Sequence, residues 1–221
     1  MRHPATQALY AYWNEVRGDR TAPRRLDIQP ARIADHLLDT FILERIDGVG
    51  FRFRLAGTRV AARFGLQLKS DSFLSCWRDA DRGLLAHHLG SIADLGRVSV
   101  FTGEADPADD PDQPPVPGLP YSFELIVLPL MHTGETIDRL LCHLVPLDDQ
   151  DTWRDDSVRN LRLVAAQSLW PNGVRADPLV LADGSASFAD RQLPLHPHVR
   201  MARIVRQGRR QFRVYEGGQS S

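Results

Sequence analysis

Residues 51–55 read Phe-Arg-Phe-Arg-Leu, and residues 40–46, Thr-Phe-Ile-Leu-Glu-Arg-Ile, lead into them through Asp47-Gly48. Side chains alternate across a strand, so this pattern sets Phe51, Phe53 and Leu55 on one face and Arg52 and Arg54 on the other. Asp-Gly between two such runs is a hairpin signal. A chain carrying this hairpin must find an apolar layer to cover the phenylalanines. Three further runs have strand character: residues 97–104, 121–131 and 136–147, the last two joined around Gly134. Pro129 sits late in its run, which predicts an edge position or a bulge.

The covering layer is legible too. Residues 79–95 place Leu84, Leu85, Leu89, Ile92 and Leu95 at helical spacing, with Asp79 or Asp81 as the cap. A short helical stretch is expected over residues 57–65, ending at Gly65, and another from Pro30 with Ile33, Leu37 and Leu38 on one side. Near the start, residues 5–17 repeat Leu9, Tyr12, Trp13 and Val16 at three- and four-residue steps, with Gly18 as a stop. A helix this short is marginal alone, so its apolar face must pack on its own domain or on a second copy. Residues 153–170 give an amphipathic helix through Val158, Leu161, Val164, Ala165 and Leu169, ended by Pro171. Hairpins are expected around Asp183-Gly184 and Gln207-Gly208. The fold class is therefore α+β: an antiparallel sheet flanked by helices, able to enclose a small cavity. The domains divide as an N-terminal helix and linker (1–30), a central domain (31–148) with a Pro/Asp-rich loop at 105–120, and a C-terminal extension (149–221) of helix 153–170 and a hairpin-like tail.

YWNEVRGDR, RRLDIQP, HLLDTFILERI, FRFRLAGTRVAARFG and ELIVLPL, in that order, resemble a bacterial family of PAS-like proteins over residues 8–148. The fourth piece is the most specific. The resemblance implies a five-stranded antiparallel PAS sheet with helix 79–95 packed across it. It also implies a sensing or scaffolding role in signal transduction with no output domain of its own. The family brings no agreed ligand, so no ligand residues carry over from it.

The residues expected to face the interior, and to line a pocket for a small apolar ligand, are Phe53, Phe73, Trp77, Leu85, His88 and Phe101. His87 and His88 are neighbours on one helix, about 100° apart, so only one can face a cavity and ligate a haem; the expectation is no cofactor. His196 and His198 are too few for a metal site. Arg203, Arg206, Arg209, Arg210 and Arg213, with Arg200 beside them, form the best footprint for an anion, since guanidinium groups hold phosphates bidentately. Leu9, Tyr12, Trp13 and Val16 are the candidate face for a homodimer or a regulatory partner protein. Cys76 and Cys142 lack metal-ligand spacing and read as reduced thiols.

The net charge of −1 offers no global attraction to nucleic acid or an anionic membrane surface. The longest apolar run, residues 125–131, is far short of the ~20 residues that span a bilayer, and no leader pattern precedes it, so a cytoplasmic protein is expected. No phosphate-loop, GxGxxG, GxSxG or HExxH pattern occurs, and no enzyme is expected. Two other readings stay open: a nucleotide- or nucleic-acid-binding protein using the C-terminal arginines, and a small-molecule enzyme on the same scaffold.

Overall fold

The structure, a computed structural model, describes residues 1–46, 50–64, 71–107, 121–132, 134–147, 158–171 and 179–180. Three α-helices, α1 (Pro4–Arg17), α2 (Thr58–Phe64) and α3 (Asp79–Leu95), accompany seven strands. These are β1 (Thr40–Arg45), β2 (Phe51–Ala56), β3 (Val98–Pro107), β4 (Tyr121–Met131), β5 (Ile137–Pro146), β6 (Val158–Leu169) and the two-residue β7 (Leu179–Val180). They form one antiparallel sheet in the order β2-β1-β5-β4-β3-β6-β7. The first five strands of the chain are the ones expected from the sequence, β1 and β2 from their alternation and β3 to β5 as runs of strand character. The sheet then continues by two.

Both faces of the sheet are buried, and alternation along β4 shows how. Phe123, Leu125 and Val127 join the cluster that contains Leu85, Leu89 and Ile92 of α3. Ile126, Leu128 and Leu130 join the cluster that contains Leu9, Tyr12 and Trp13 of α1. Every residue from Phe123 to Met131 is buried. A strand enclosed on both sides reads as a continuous apolar run, which is what residues 125–131 are. Pro129 therefore lies in a central strand, not at an edge. The register shift falls one step later, between Leu130 and Met131.

α1 is capped at His3, whose Nδ1 accepts from the Ala5 N–H at 3.1 Å, with Pro4 at the first helical position. It ends at Gly18, in a positive-φ conformation (58°). Its apolar stripe lies on the back of the sheet, and the Trp13 indole donates to the Pro129 carbonyl at 2.9 Å. The stripe is thus taken by its own chain: Leu9, Tyr12 and Trp13 are buried and Val16 packs against them. Of the two covers the sequence left open, its own domain or a second copy, the first is the one seen here. One compact unit runs from Met1 to Leu181.

The residues of the FRFRLAGTRVAARFG motif serve this packing. A Cβ at Gly57 would fall on the carbonyl oxygens of Leu37 and Leu38, so only glycine allows the approach. Arg63 and Arg59 of α2 both pair with Asp39, at 2.8 and 3.0 Å, and fasten α2 to the 3-10 segment Pro30–Asp39. Leu37 and Leu38 in that segment are exposed while Ile33 is buried, because a 3-10 turn does not stack the three on one side. Leu55 also departs from expectation. Leu43 opposes Phe53 and Ile42 opposes Leu55, which leaves Arg54 as an extra residue. That bulge turns Leu55 off the phenylalanine face, and it is 58% exposed.

Residues 158–169 form a strand, not the helix expected over 153–170. The open edge of β3 decides this: its unpaired N–H and C=O groups are satisfied by β6 along nearly its whole length. Leu161, Leu163 and Ala166 turn into the α3-side core. Asn160, at φ 53°, and Val164 sit at the two irregularities of register. The outer edge of β6 is occupied as well. Arg78 N–H donates to Leu161 O at 2.9 Å, the Asp81 carboxylate accepts from Leu163 N–H at 3.1 Å, and β7 pairs with Ala165 and Ala166. The hairpins anticipated near residues 183 and 207 lie outside the described residues.

Replacing Trp13 by alanine removes a buried indole and its hydrogen bond, and is expected to cost about 3–5 kcal/mol in urea unfolding with no change of oligomeric state. A shift in oligomer with stability intact would contradict the intramolecular role of α1. A chain ending at residue 147 leaves the β3 edge open. It is expected to associate with rising concentration in light scattering, and a soluble monomer of unchanged melting temperature would show that β6 protects nothing.

Candidate functional site

The space between α3 and the front of the sheet is lined by aromatic rings from five separate segments. Phe53 on β2 meets Phe73, the first residue of the 3-10 turn Phe73–Cys76, at 5.6 Å between centroids. Phe73 meets Trp77 at 5.9 Å, and Trp77 meets Phe123 on β4 at 5.9 Å, all edge-on. Phe41 on β1 closes the group against Phe53 and Phe73, at 5.5 and 5.6 Å. Such tilted contacts are the favoured geometry for aromatic pairs. Further along α3, the His88 ring stands edge-on to Phe101 on β3 at 5.7 Å.

All six interior residues read from the sequence, Phe53, Phe73, Trp77, Leu85, His88 and Phe101, are buried here. Phe41 and Phe123 belong with them and were missed, although the alternation of their strands points both inward. Gly103 was missed as well. A Cβ there would meet the Phe123 ring and the Arg162 carbonyl, so the bare glycine makes the room that Phe123 fills.

Two polar atoms lie inside this apolar wall without a hydrogen-bond partner among the described residues: Trp77 Nε1 and His88 Nε2. A buried donor or acceptor left unpaired costs about 1–3 kcal/mol. The fold keeps both where leucine or phenylalanine would satisfy packing. Burial lowers the His88 pKa to about 4, with smaller contributions from His87 and Arg97, so the ring is neutral at pH 7. A neutral imidazole offers one N–H and one acceptor, and the indole offers a single N–H. Each of the two offers one polar contact to a small, mostly apolar molecule.

Of the twin histidines, His88 is the inward one. His87 borders an outer groove of about 310 Å³ with Arg45, Phe51, Gly90, Asp94 and Leu95, bridged by an Arg45–Asp94 ion pair at 2.6 Å. Cys76 and Cys142 are free thiols. Burial pushes Cys76 up to about 12 and Cys142 well above its ordinary value, so neither is a nucleophile at neutral pH. Among the described residues, no group of three or more His, Cys, Asp or Glu could hold a metal ion, and no helix is long and apolar enough to cross a membrane. Arg200, Arg203, Arg206, Arg209, Arg210, Arg213, His196 and His198 lie outside the described residues.

A family model described as PAS domain covers residues 1–145, a span that begins before α1 and stops short of β6. No curated protein and no solved structure matches the chain.

The buried histidine fixes a pH dependence. With its native pKa near 4 and an ordinary value near 6.5, His88 binds more protons unfolded than folded between those limits. Stability is therefore full above pH 6.5 and is lost as the pH falls toward 4. From pH 7 to pH 5 its share of the loss is about 2 kcal/mol. His88→Phe is expected to flatten the stability profile by that amount in denaturant titrations at the two values. An unchanged slope would mean that His88 is solvated in the native state.

Proposed function

The chain belongs to the PAS domain family, a family of sensory and regulatory modules, and from that membership we propose that it is a signal-transduction sensor whose core takes a small apolar ligand. The observation that carries the proposal is the pair of unpaired polar atoms, Trp77 Nε1 and His88 Nε2, held inside the aromatic wall. A ligand with one hydrogen-bond acceptor relieves the indole. One with a polar atom at the far end of α3 engages the imidazole instead. Ring contacts fill the space, so entry must displace a side chain, and Phe73 and Phe123 flank Trp77.

A ligand shifts an equilibrium only by its differential affinity for the two states. Trp77 sits at a junction suited to this. Arg78, the next residue, bonds the main chain of Leu161, and Asp81 on the first turn of α3 bonds that of Leu163. A displacement of Trp77 therefore pulls directly on β6, the strand that leads to the C-terminal segment. The output is a regulatory partner protein or a second copy of the chain, reached through residues that follow β6, where Arg203, Arg206, Arg209, Arg210 and Arg213 supply charge for an anionic contact.

Native mass spectrometry of freshly purified protein tests the ligand. The expected result is an adduct on the wild-type chain, with affinity for that molecule about tenfold weaker in Trp77→Phe, the loss of one buried hydrogen bond. A bare wild-type mass, joined to an unchanged melting temperature across a panel of small apolar compounds, would leave the family's scaffolding role as the function.

A further inference from the structure

The back of the sheet contains a second buried polar group, distinct from the α3-side core. The carboxylate of Glu124 on β4 is enclosed, and it accepts the main-chain N–H of Arg2 at 2.6 Å and of His3 at 3.2 Å. It thereby pins the start of α1 to the sheet. The N-terminal ammonium stands 4.0 Å from the same carboxylate. His143 on β5 lies on the same face. Its cross-strand partner is Ile126, and Glu124 is therefore its diagonal neighbour. Its ring is fully buried, and neither nitrogen has a hydrogen-bond partner among the described residues. Thr6, one turn into α1, is also fully buried with its hydroxyl unpartnered.

The charged and titratable groups around His143 come from every covering element. His36, from the 3-10 segment, meets its ring edge-on at 5.4 Å. His3 approaches from α1, and Arg59 and Arg63 from α2. Asp39 already serves both arginines. Burial, followed by His36, His3 and the two arginines, lowers the His143 pKa to about 3. Closed, the site refuses a proton. Opened by movement of α1, the ring loses part of its cover and the neighbouring His3, and its basicity rises.

We propose that the first turns of α1 form an acid-released latch, in which a solvent proton taken up by His143 draws the Glu124 carboxylate away from the Arg2 and His3 N–H groups and frees the helix from the back of the sheet. The imidazolium gains an N–H that can reach its diagonal carboxylate, and α1 loses the acceptor that holds its start. The proposal does not depend on the sensor reading, because it concerns the opposite face of the sheet and its readout involves no ligand.

Hydrogen exchange read by mass spectrometry on the full chain tests it. After correction for intrinsic rates, the opening constant of amides in α1 is expected to rise severalfold from pH 7.5 to pH 5.5, with about tenfold as the ceiling set by a histidine of ordinary basicity when open. In His143→Gln that rise disappears, while the exchange of α3 keeps its wild-type pH response. In Glu124→Gln, α1 exchanges faster already at pH 7.5. An α1 opening constant that is independent of pH in the wild type, or a rise that survives in a folded His143→Gln, overturns the latch. Should His143→Gln fail to fold, the wild-type His143 ring resonance decides. Its titration must coincide with the loss of α1 protection, and a ring that stays neutral while α1 opens would refute the proposal.

Discussion

The two-sided burial of β4 is the constraint on which the rest of the structure depends. From Phe123 to Met131 no side chain reaches solvent, so each face needs a cover, and the chain supplies one from either side. α3 covers the front with Leu85, Leu89 and Ile92, and α1 covers the back with Leu9, Tyr12 and Trp13. Removing either would expose a contiguous apolar surface of the kind soluble proteins avoid. The N-terminal helix is thus part of the hydrophobic core, in keeping with a family match that starts at residue 1.

The same constraint sorts the polar groups. Cross-strand alternation forces buried polar side chains onto one face or the other. The front holds His88 and the Trp77 indole, among rings that leave them no partner. The back holds Glu124 and His143, where the carboxylate is satisfied by main-chain N–H groups and the imidazole is not. Each face therefore carries one buried histidine whose charged form is excluded by its surroundings. Under the two proposals, a small molecule on the front and a proton on the back would act on separate covers of one sheet.

Much of this was legible in the residues, and the failures have physical reasons. Period-2 alternation located β1 and β2, and apolar runs of strand character located β3 to β5, because both follow from local geometry. β6 was misread as a helix because Leu161, Val164, Ala165 and Leu169 satisfy a helical period as well. The irregularities at Asn160 and Val164 break the alternation that would have revealed the strand. Leu55 was misplaced by a bulge of the same kind. The stripe on α1 said that something must cover it, but a stripe does not say what. Gly57 and Gly103 matter through close approaches between segments distant in sequence, and His143 through the closure of three elements over it. None of these leaves a local pattern.

The claim that α1 closes the core of its own chain is tested most directly by isotope-filtered nuclear Overhauser measurements on a mixture of labelled and unlabelled protein. The account requires contacts of the Trp13 indole with residues 128–131 within a single labelled chain, and none between differently labelled chains. Contacts seen only across chains would place α1 on a partner and leave the back of this sheet open.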